Sequence, residues 1–197
     1  MLSPKVQVLG IVTLVVIVWL FIGSVFAQDW TYTPGQHHLE TATAESIWAE
    51  AQADYAKAHP EAPKAPRAPQ YGFTTPKGIC ILANEDKEAN CALAITCGEY
   101  GQCDNWPKEF DTVFDESYDY ETPLGRSIVY HEFWHFLQFV HKGPMSYDMQ
   151  GENVWQELSC RENEAYVQET VWLRKHGFDN EARRLTNSIL RHPCRPY

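Results

Sequence analysis

Residues 125–143 read GRSIVYHEFWHFLQFVHKG, and this stretch decides how the rest of the chain is interpreted. At its centre, His131 and His135 are four positions apart, and Glu132 directly follows the first histidine. The surrounding residues are strongly apolar, which predicts a helix buried nearly all round. On such a helix His131 and His135 share one face, one turn apart. Two histidines and a glutamate are costly to bury there unless they have a partner.

This H-E-x-x-H pattern predicts a zinc site. Two imidazoles held one turn apart can bind the same Zn²⁺, each at about 2.0–2.1 Å. Glu132 would reach a metal-bound water rather than the metal, and would act as the general base. Because zinc lowers the pKa of its water to about 7, hydrolytic chemistry becomes accessible at neutral pH.

Helix signals bound this segment and place others. Thr122-Pro123 favours a helix start, and Gly143-Pro144 favours a helix end. Further helices are predicted at residues 41–58, 154–175 and 180–191. Of these, we interpret the helix at residues 41–58 as a packing helix.

Short strands are predicted at residues 78–83, 91–97 and 112–114. An edge strand beside a metal cleft can bind an extended peptide by strand addition. Residues 112–118 are therefore a candidate substrate ledge, although an ordinary sheet strand explains them equally well. Together these elements predict an α+β fold, with a small disulfide-supported β-sheet packed on a two-helix metal core.

Composition predicts one main domain with extensions. The chain has 197 residues and a formal net charge of −10. No basic patch is visible, which argues against a nucleic-acid partner. We divide the chain into an N-terminal segment at 1–27, an extension with one helix at 28–59, a Pro/Ala-rich linker at 60–69 and the metal-binding domain at 70–197.

The N-terminal segment predicts export. Lys5 precedes an apolar run that ends in Val25-Phe26-Ala27, which fits a signal peptide cleaved after Ala27. The run is also close to the roughly 20 residues that span a bilayer, so residues 6–27 could instead be an uncleaved membrane tether. The predicted location is periplasmic or secreted, or membrane-anchored with the domain outside the cytoplasm.

The six cysteines agree with export, because an even number in an exported chain suggests disulfides. Cys160 and Cys194 are predicted to pair and to pin the C-terminal tail. Two local bridges are predicted among the remaining cysteines, which are Cys80, Cys91, Cys97 and Cys103.

A second half-motif bears on the third metal ligand. Residues 162–165 read ENEA, which resembles the E-x-x-A pattern that follows H-E-x-x-H in gluzincin metallopeptidases, such as thermolysin-like enzymes and CAAX-processing proteases. The resemblance covers only the two helices and implies a zincin-like core. It also implies that His131, His135 and Glu162 bind zinc, with Glu132 as the base.

The chain departs from this pattern at Tyr166, where several gluzincins carry an aspartate that orients a histidine. Glu164 and Glu157 therefore remain alternative ligands. Glu162 is favoured because Leu158, Ala165 and Glu169 share its helix face, which can pack on the motif helix.

His141 offers a competing third ligand, because its spacing from His135 resembles that of the metzincin motif. That geometry needs a helix break where this chain has Gln138 instead of glycine, and Gln adopts a left-handed backbone poorly. In a continuing helix, His141 points about 240° away from His135, at about 100° per residue. A glutamate ligand is therefore favoured over His141.

The pattern predicts an exported zinc metallopeptidase acting on a peptide or protein substrate. The alternatives are a non-catalytic zinc-stapled binding module, in which four ligands close the site, and a zinc hydrolase acting on non-peptide amides. Tyr166 or His176 could stabilise the oxyanion. Gln138 could orient a neighbouring ligand or could be satisfied by the backbone.

Overall fold

The computed structural model describes residues 39–75, 79, 94–96, 110–143, 152–191 and 194. Their elements, in chain order, are α1 (Thr41–Ala58), β1 (Tyr71–Thr74), β2 (Ala94–Thr96), β3 (Thr112–Asp115), α2 (Pro123–Lys142), α3 (Glu152–Lys175) and α4 (Asp179–Arg191). The predicted α+β class is confirmed for these residues, which contain four helices and one mixed three-stranded sheet.

The sheet has the strand order β1-β3-β2, so β3 is its central strand. Strand β3 runs parallel to β1, with Tyr71 opposite Thr112, and antiparallel to β2, with Ala94 opposite Phe114. Of the two interpretations of residues 112–118, the edge ledge is therefore wrong, and the ordinary sheet strand is confirmed at residues 112–115. Because β3 is hydrogen-bonded on both sides, it has no open edge to which a peptide strand could be added.

The strand predictions differ in their outcome. The strand at 112–114 is confirmed as β3, and the one at 91–97 is shorter, at Ala94–Thr96. Of the strand predicted at 78–83, only Ile79 lies among the described residues, and there the backbone is helical rather than extended. Strand β1 was not predicted, because its four residues become a strand only through their pairing with β3, which lies some forty residues further along the chain.

Helix α2 occupies the centre of the fold and has the predicted bounds. The Thr122 side chain accepts a hydrogen bond from the Gly125 N–H at 3.0 Å and caps the first turn. Gly143, with φ at +78°, ends the helix. Helix α2 packs against α1, α3 and the sheet, so one continuous core surrounds its apolar residues.

Helix α1 has the predicted bounds and packs against α2. Its Trp48 ring meets the Phe133 and Phe136 rings edge-on, each at a centroid distance of 5.9 Å. Farther along the chain, Ala65 is buried and Arg67 pairs with Asp111. Helix α1 and the Pro/Ala-rich segment that follows it therefore contribute to the same core as α2 and α3.

The predicted Cys160–Cys194 disulfide is confirmed. It joins α3 to the residues after α4 and closes a loop between positions 34 apart in sequence. The other predicted bridges and the N-terminal signal or anchor at 1–27 lie outside the described residues. Within the described part of the chain, no helix has the length and apolar character needed to span a bilayer.

We expect Gly125→Ala to destabilise the fold. A Cβ atom at Gly125 would lie 2.2 Å from the Asp119 carbonyl oxygen and 2.5 Å from the Tyr120 Cα, and both are backbone atoms. Such overpacking costs about 1–3 kcal/mol in the free energy of unfolding. Urea denaturation measures this change, with Ser46→Ala on the exposed face of α1 as the control. An unchanged urea midpoint for Gly125→Ala would contradict the close approach of residue 125 to the backbone of Asp119 and Tyr120.

Candidate metal centre

The two motif histidines meet through their Nε2 atoms. His131 and His135 lie on successive turns of α2, and both are buried. Their Nε2 atoms are 2.9 Å apart, and their rings are nearly perpendicular at a centroid distance of 4.6 Å. One ion placed between the two rings could therefore contact both nitrogens.

Helix α3 brings Glu162 to the same point. One carboxylate oxygen lies 3.5 Å from His131 Nε2, and the other lies 3.3 Å from His135 Nε2. The ligand atoms of the three residues all fall within 4.8 Å of one another. Two tetrahedral zinc ligands are separated by about 3.3 Å when each is 2.0–2.1 Å from the metal. The observed spacings fit zinc with small adjustments.

The alternative third ligands lie elsewhere. Glu164 contacts His59 Nε2 at 2.5 Å and Lys142 Nζ at 3.1 Å, and Glu157 pairs with Arg161 at 2.8 Å. His141 lies beside the Tyr55 hydroxyl, at 3.1 Å. Among the residues weighed as third ligands, the structure brings only Glu162 to the two motif histidines.

Hydrogen bonds fix the orientation of both imidazoles. His135 Nδ1 lies 2.8 Å from Gln138 Oε1, while Gln138 Nε2 donates to the Arg161 carbonyl at 3.1 Å. Because that carbonyl can only accept, the Gln138 oxygen must face His135, and His135 Nδ1 must be the donor. His131 Nδ1 lies 3.0 Å from a carboxylate oxygen of Glu169, which makes it a donor as well.

These contacts test whether the residues suit a metal. With Nδ1 protonated in each ring, the Nε2 lone pairs of His131 and His135 face each other at 2.9 Å. Two lone pairs this close repel each other unless a proton or a cation lies between them. A carboxylate that orients a metal-binding histidine through its Nδ1–H is a common arrangement in zinc sites. The donor set therefore fits zinc.

Glu169 was not assigned a role from the sequence. It lies seven residues after Glu162, about two helical turns, so both side chains occupy one face of α3. Ser127 also donates to Glu169, at 2.7 Å. Glu169 thus contacts both Ser127 on α2 and the Nδ1 atom of His131. Its seven-residue spacing from Glu162, close to two helical turns, could have indicated Glu169 from the sequence. For Gln138, both predicted outcomes occur, because it orients His135 and also bonds to the backbone.

The carboxylates and the imidazoles of the site shift one another's pKa values toward their charged forms. Burial alone would raise the pKa of Glu162, but His135 and His131 hold that pKa well below its ordinary value. Burial and His135 would lower the pKa of His131, but hydrogen bonds with Glu162 and Glu169 raise it to about 9. The carboxylates therefore create a strongly cation-attracting pocket around the two imidazoles.

Glu132 lies beside this cluster and is buried. Its Oε2 atom accepts a hydrogen bond of 2.6 Å from the Thr96 hydroxyl on β2. Burial raises the pKa of the Glu132 carboxyl above its ordinary value, although His135 and His131 oppose this shift. A carboxylate with a raised pKa is a better proton acceptor near neutral pH. The contact with Thr96 was not predicted, because it joins residues that are distant in sequence.

The two residues predicted as oxyanion stabilisers are far apart in the structure. The centroid of the Tyr166 ring lies 4.5 Å from the centroid of the His131 ring. Burial, together with Glu162 and Glu169, raises the pKa of Tyr166, so its phenol stays protonated at neutral pH. His176 instead bonds to Glu50 at 2.8 Å, near the C-terminal end of α3. Of these two residues, Tyr166 is the one whose ring packs against a candidate metal ligand, His131.

We expect Glu169→Gln to weaken zinc binding. Glutamine preserves the size of the side chain but removes the negative charge next to His131 Nδ1. Changes to such hydrogen-bonded neighbours typically lower metal affinity about 10–100-fold. Competition with a chromogenic chelator measures this loss. Glu45→Gln, on the exposed face of α1, is the matched control. Equal affinities for the two variants would show that Glu169 does not support the site.

Comparison with protein-family models, with curated proteins and with solved structures finds no significant match to this chain. The function of the site is therefore inferred from its own geometry.

Proposed function

We propose that this chain is an exported zinc metallopeptidase of the gluzincin type, which hydrolyses peptide bonds. The proposal rests on the convergence of His131, His135 and Glu162 on one point. Glu132 is buried and directly follows His131 on α2. Helices α2 and α3 would form the zincin-like core, supported by the small sheet. A site built only to staple two helices has no need of the Glu132 carboxylate.

Each residue has a role in the proposed reaction. His131, His135 and Glu162 would hold zinc, which when bound polarises the substrate carbonyl and lowers the pKa of water. Glu132 accepts a proton from the attacking water and passes it to the nitrogen of the leaving amine. Because Thr96 already donates to its Oε2, we assign this proton transfer to Oε1.

Tyr166 would donate its phenolic proton in a hydrogen bond to the developing oxyanion. We expect Tyr166→Phe to lower kcat by about 10²-fold or more, while KM and zinc content change little, since the lost interaction belongs to the transition state. Steady-state kinetics with a fluorogenic peptide measure both constants. A higher KM at unchanged kcat would assign Tyr166 to substrate binding instead.

Export of the domain is part of the proposal. The Cys160–Cys194 disulfide supports it, because disulfides persist mainly in oxidising compartments. Whether residues 1–27 are cleaved or remain as a tether would be read from the N-terminus of the mature protein by mass spectrometry.

The test uses the full chain, purified in detergent and loaded with zinc. We expect it to cleave an unfolded protein and a mixed peptide library, with products identified by mass spectrometry. A strong zinc chelator should stop the cleavage, and added zinc should restore it. Zinc binding without cleavage of any peptide would refute the peptidase. Turnover of acylated amino sugars alone would then favour a non-peptide amide hydrolase, and no turnover would favour the zinc-stapled module.

A further inference from the structure

A second group of possible metal ligands lies where the chain leaves α1 and meets the last turn of α2. It consists of His59, Glu61 and His141, and their ligand atoms all lie within 4.8 Å of one another. One Glu61 oxygen is 3.7 Å from His59 Nδ1 and 3.7 Å from His141 Nε2. The two imidazole rings have a centroid distance of 5.4 Å. None of these residues belongs to the site proposed above.

The other nitrogen of each imidazole is occupied. His59 Nε2 contacts a carboxylate oxygen of Glu164 at 2.5 Å, and His141 Nδ1 contacts the Tyr55 hydroxyl at 3.1 Å. The nitrogens that remain, His59 Nδ1 and His141 Nε2, are the ones directed toward Glu61. Histidines that bind metals usually hold their second nitrogen in this way, which fixes the ring. The Glu164 carboxylate can only accept, so His59 Nε2 is the donor, and the Tyr55 hydroxyl can accept from His141 Nδ1 when Nε2 binds an ion.

Glu164, which contacts His59, is itself held by two further side chains. The same Glu164 oxygen accepts a hydrogen bond from Trp134 Nε1 at 3.2 Å, and the other oxygen pairs with Lys142 Nζ at 3.1 Å. Tyr55 packs on both histidines, with ring centroids 4.5 Å from His59 and 6.0 Å from His141. The two rings are therefore held in place, while the Glu61 side chain is 65 % exposed and can move onto an ion.

We propose that His59, Glu61 and His141 bind a second zinc ion. Two imidazoles and one carboxylate are a known zinc donor set, and an open fourth position suits water. The two separations of 3.7 Å between Glu61 and the imidazole nitrogens are close to the spacing of about 3.3 Å between tetrahedral ligands, and all three ligand atoms lie within 4.8 Å of one another. This ion would fasten the segment after α1 to the end of α2. Because Glu61 is exposed, the ion would exchange more readily than the buried one.

Zinc stoichiometry of the full chain, measured by mass spectrometry of the metal after equilibration with buffered zinc, tests this inference. We expect about two zinc ions per chain in the wild type. Glu61→Gln and His141→Asn should each retain only the buried ion, and Glu162→Ala should retain only the second ion. Glu45→Gln is the exposed control and should match the wild type.

Thermal stability provides a second readout. In the Glu162→Ala background, added zinc should raise the melting temperature, because an ion that binds only the folded chain stabilises it. Adding His141→Asn to that background should abolish the increase.

The outcomes separate the two proposals. A single wild-type zinc ion that is lost in Glu162→Ala and kept in Glu61→Gln would overturn the second site alone. A single ion lost in Glu61→Gln and kept in Glu162→Ala would overturn the buried site alone. Two ions that both persist in Glu61→Gln and in His141→Asn would also overturn the second site, since neither residue would then be a ligand.

Discussion

Glu132→Gln is expected to lose peptide hydrolysis by about 10²–10⁴-fold and to keep its zinc. Glutamine has nearly the same shape as glutamate, and it can still accept a hydrogen bond from Thr96. It cannot take a proton from water near neutral pH, however. Since the three proposed ligands are unchanged, the metal site should fill as in the wild type. Peptide cleavage and zinc content, measured on the same preparation, provide the test.

The control for this prediction is Thr96→Val, which removes the hydroxyl that contacts Glu132 but leaves the carboxylate in place. We expect a smaller loss of activity for this variant than for Glu132→Gln, because Glu132 remains able to accept the proton. Wild-type turnover in Glu132→Gln would contradict the general-base role. Loss of zinc in the same variant would instead make Glu132 part of the metal site.

Local signals in the sequence were enough to predict the helices around the site. Thr122 and Pro123 favour a helix start, Gly143 favours its end, and the apolar residues between them favour burial; α2 has these bounds. The four-residue spacing of His131 and His135 then fixes their common face, whatever the rest of the chain does. These features depend only on backbone preferences within a few residues, so the sequence carries them directly.

Features that depend on tertiary pairing were not accessible in the same way. The sequence left Glu162, Glu164 and Glu157 open as ligands, because the choice depends on how α3 is rotated against α2. The hydrogen bond from Thr96 to Glu132 depends on the position of β2 in the sheet. The same limitation explains why the sequence left residues 112–118 open as an edge ledge or an ordinary strand, because only the pairing of β3 with both β1 and β2 decides between the two.

Glu162→Ala is expected to release zinc from the buried site that we propose at His131, His135 and Glu162. This change leaves two imidazoles and no carboxylate at the site. We therefore expect zinc affinity to fall by more than the roughly 10–100-fold that follows the loss of a hydrogen-bonded neighbour. Peptide hydrolysis should disappear with the metal. Competition with chelators of graded affinity measures the loss, because it separates the buried ion from a more readily exchanged one.

Three matched variants make this prediction selective. Glu164→Ala and Glu157→Ala each remove a carboxylate from the same helix, and His141→Ala removes the competing histidine. Because their side chains contact His59, Arg161 and Tyr55 rather than the motif histidines, all three should keep the tightly bound zinc. Release of that zinc by His141→Ala, with retention in Glu162→Ala, would require the helix to break near Gln138. It would also replace the glutamate ligand with the third histidine of a metzincin-like site.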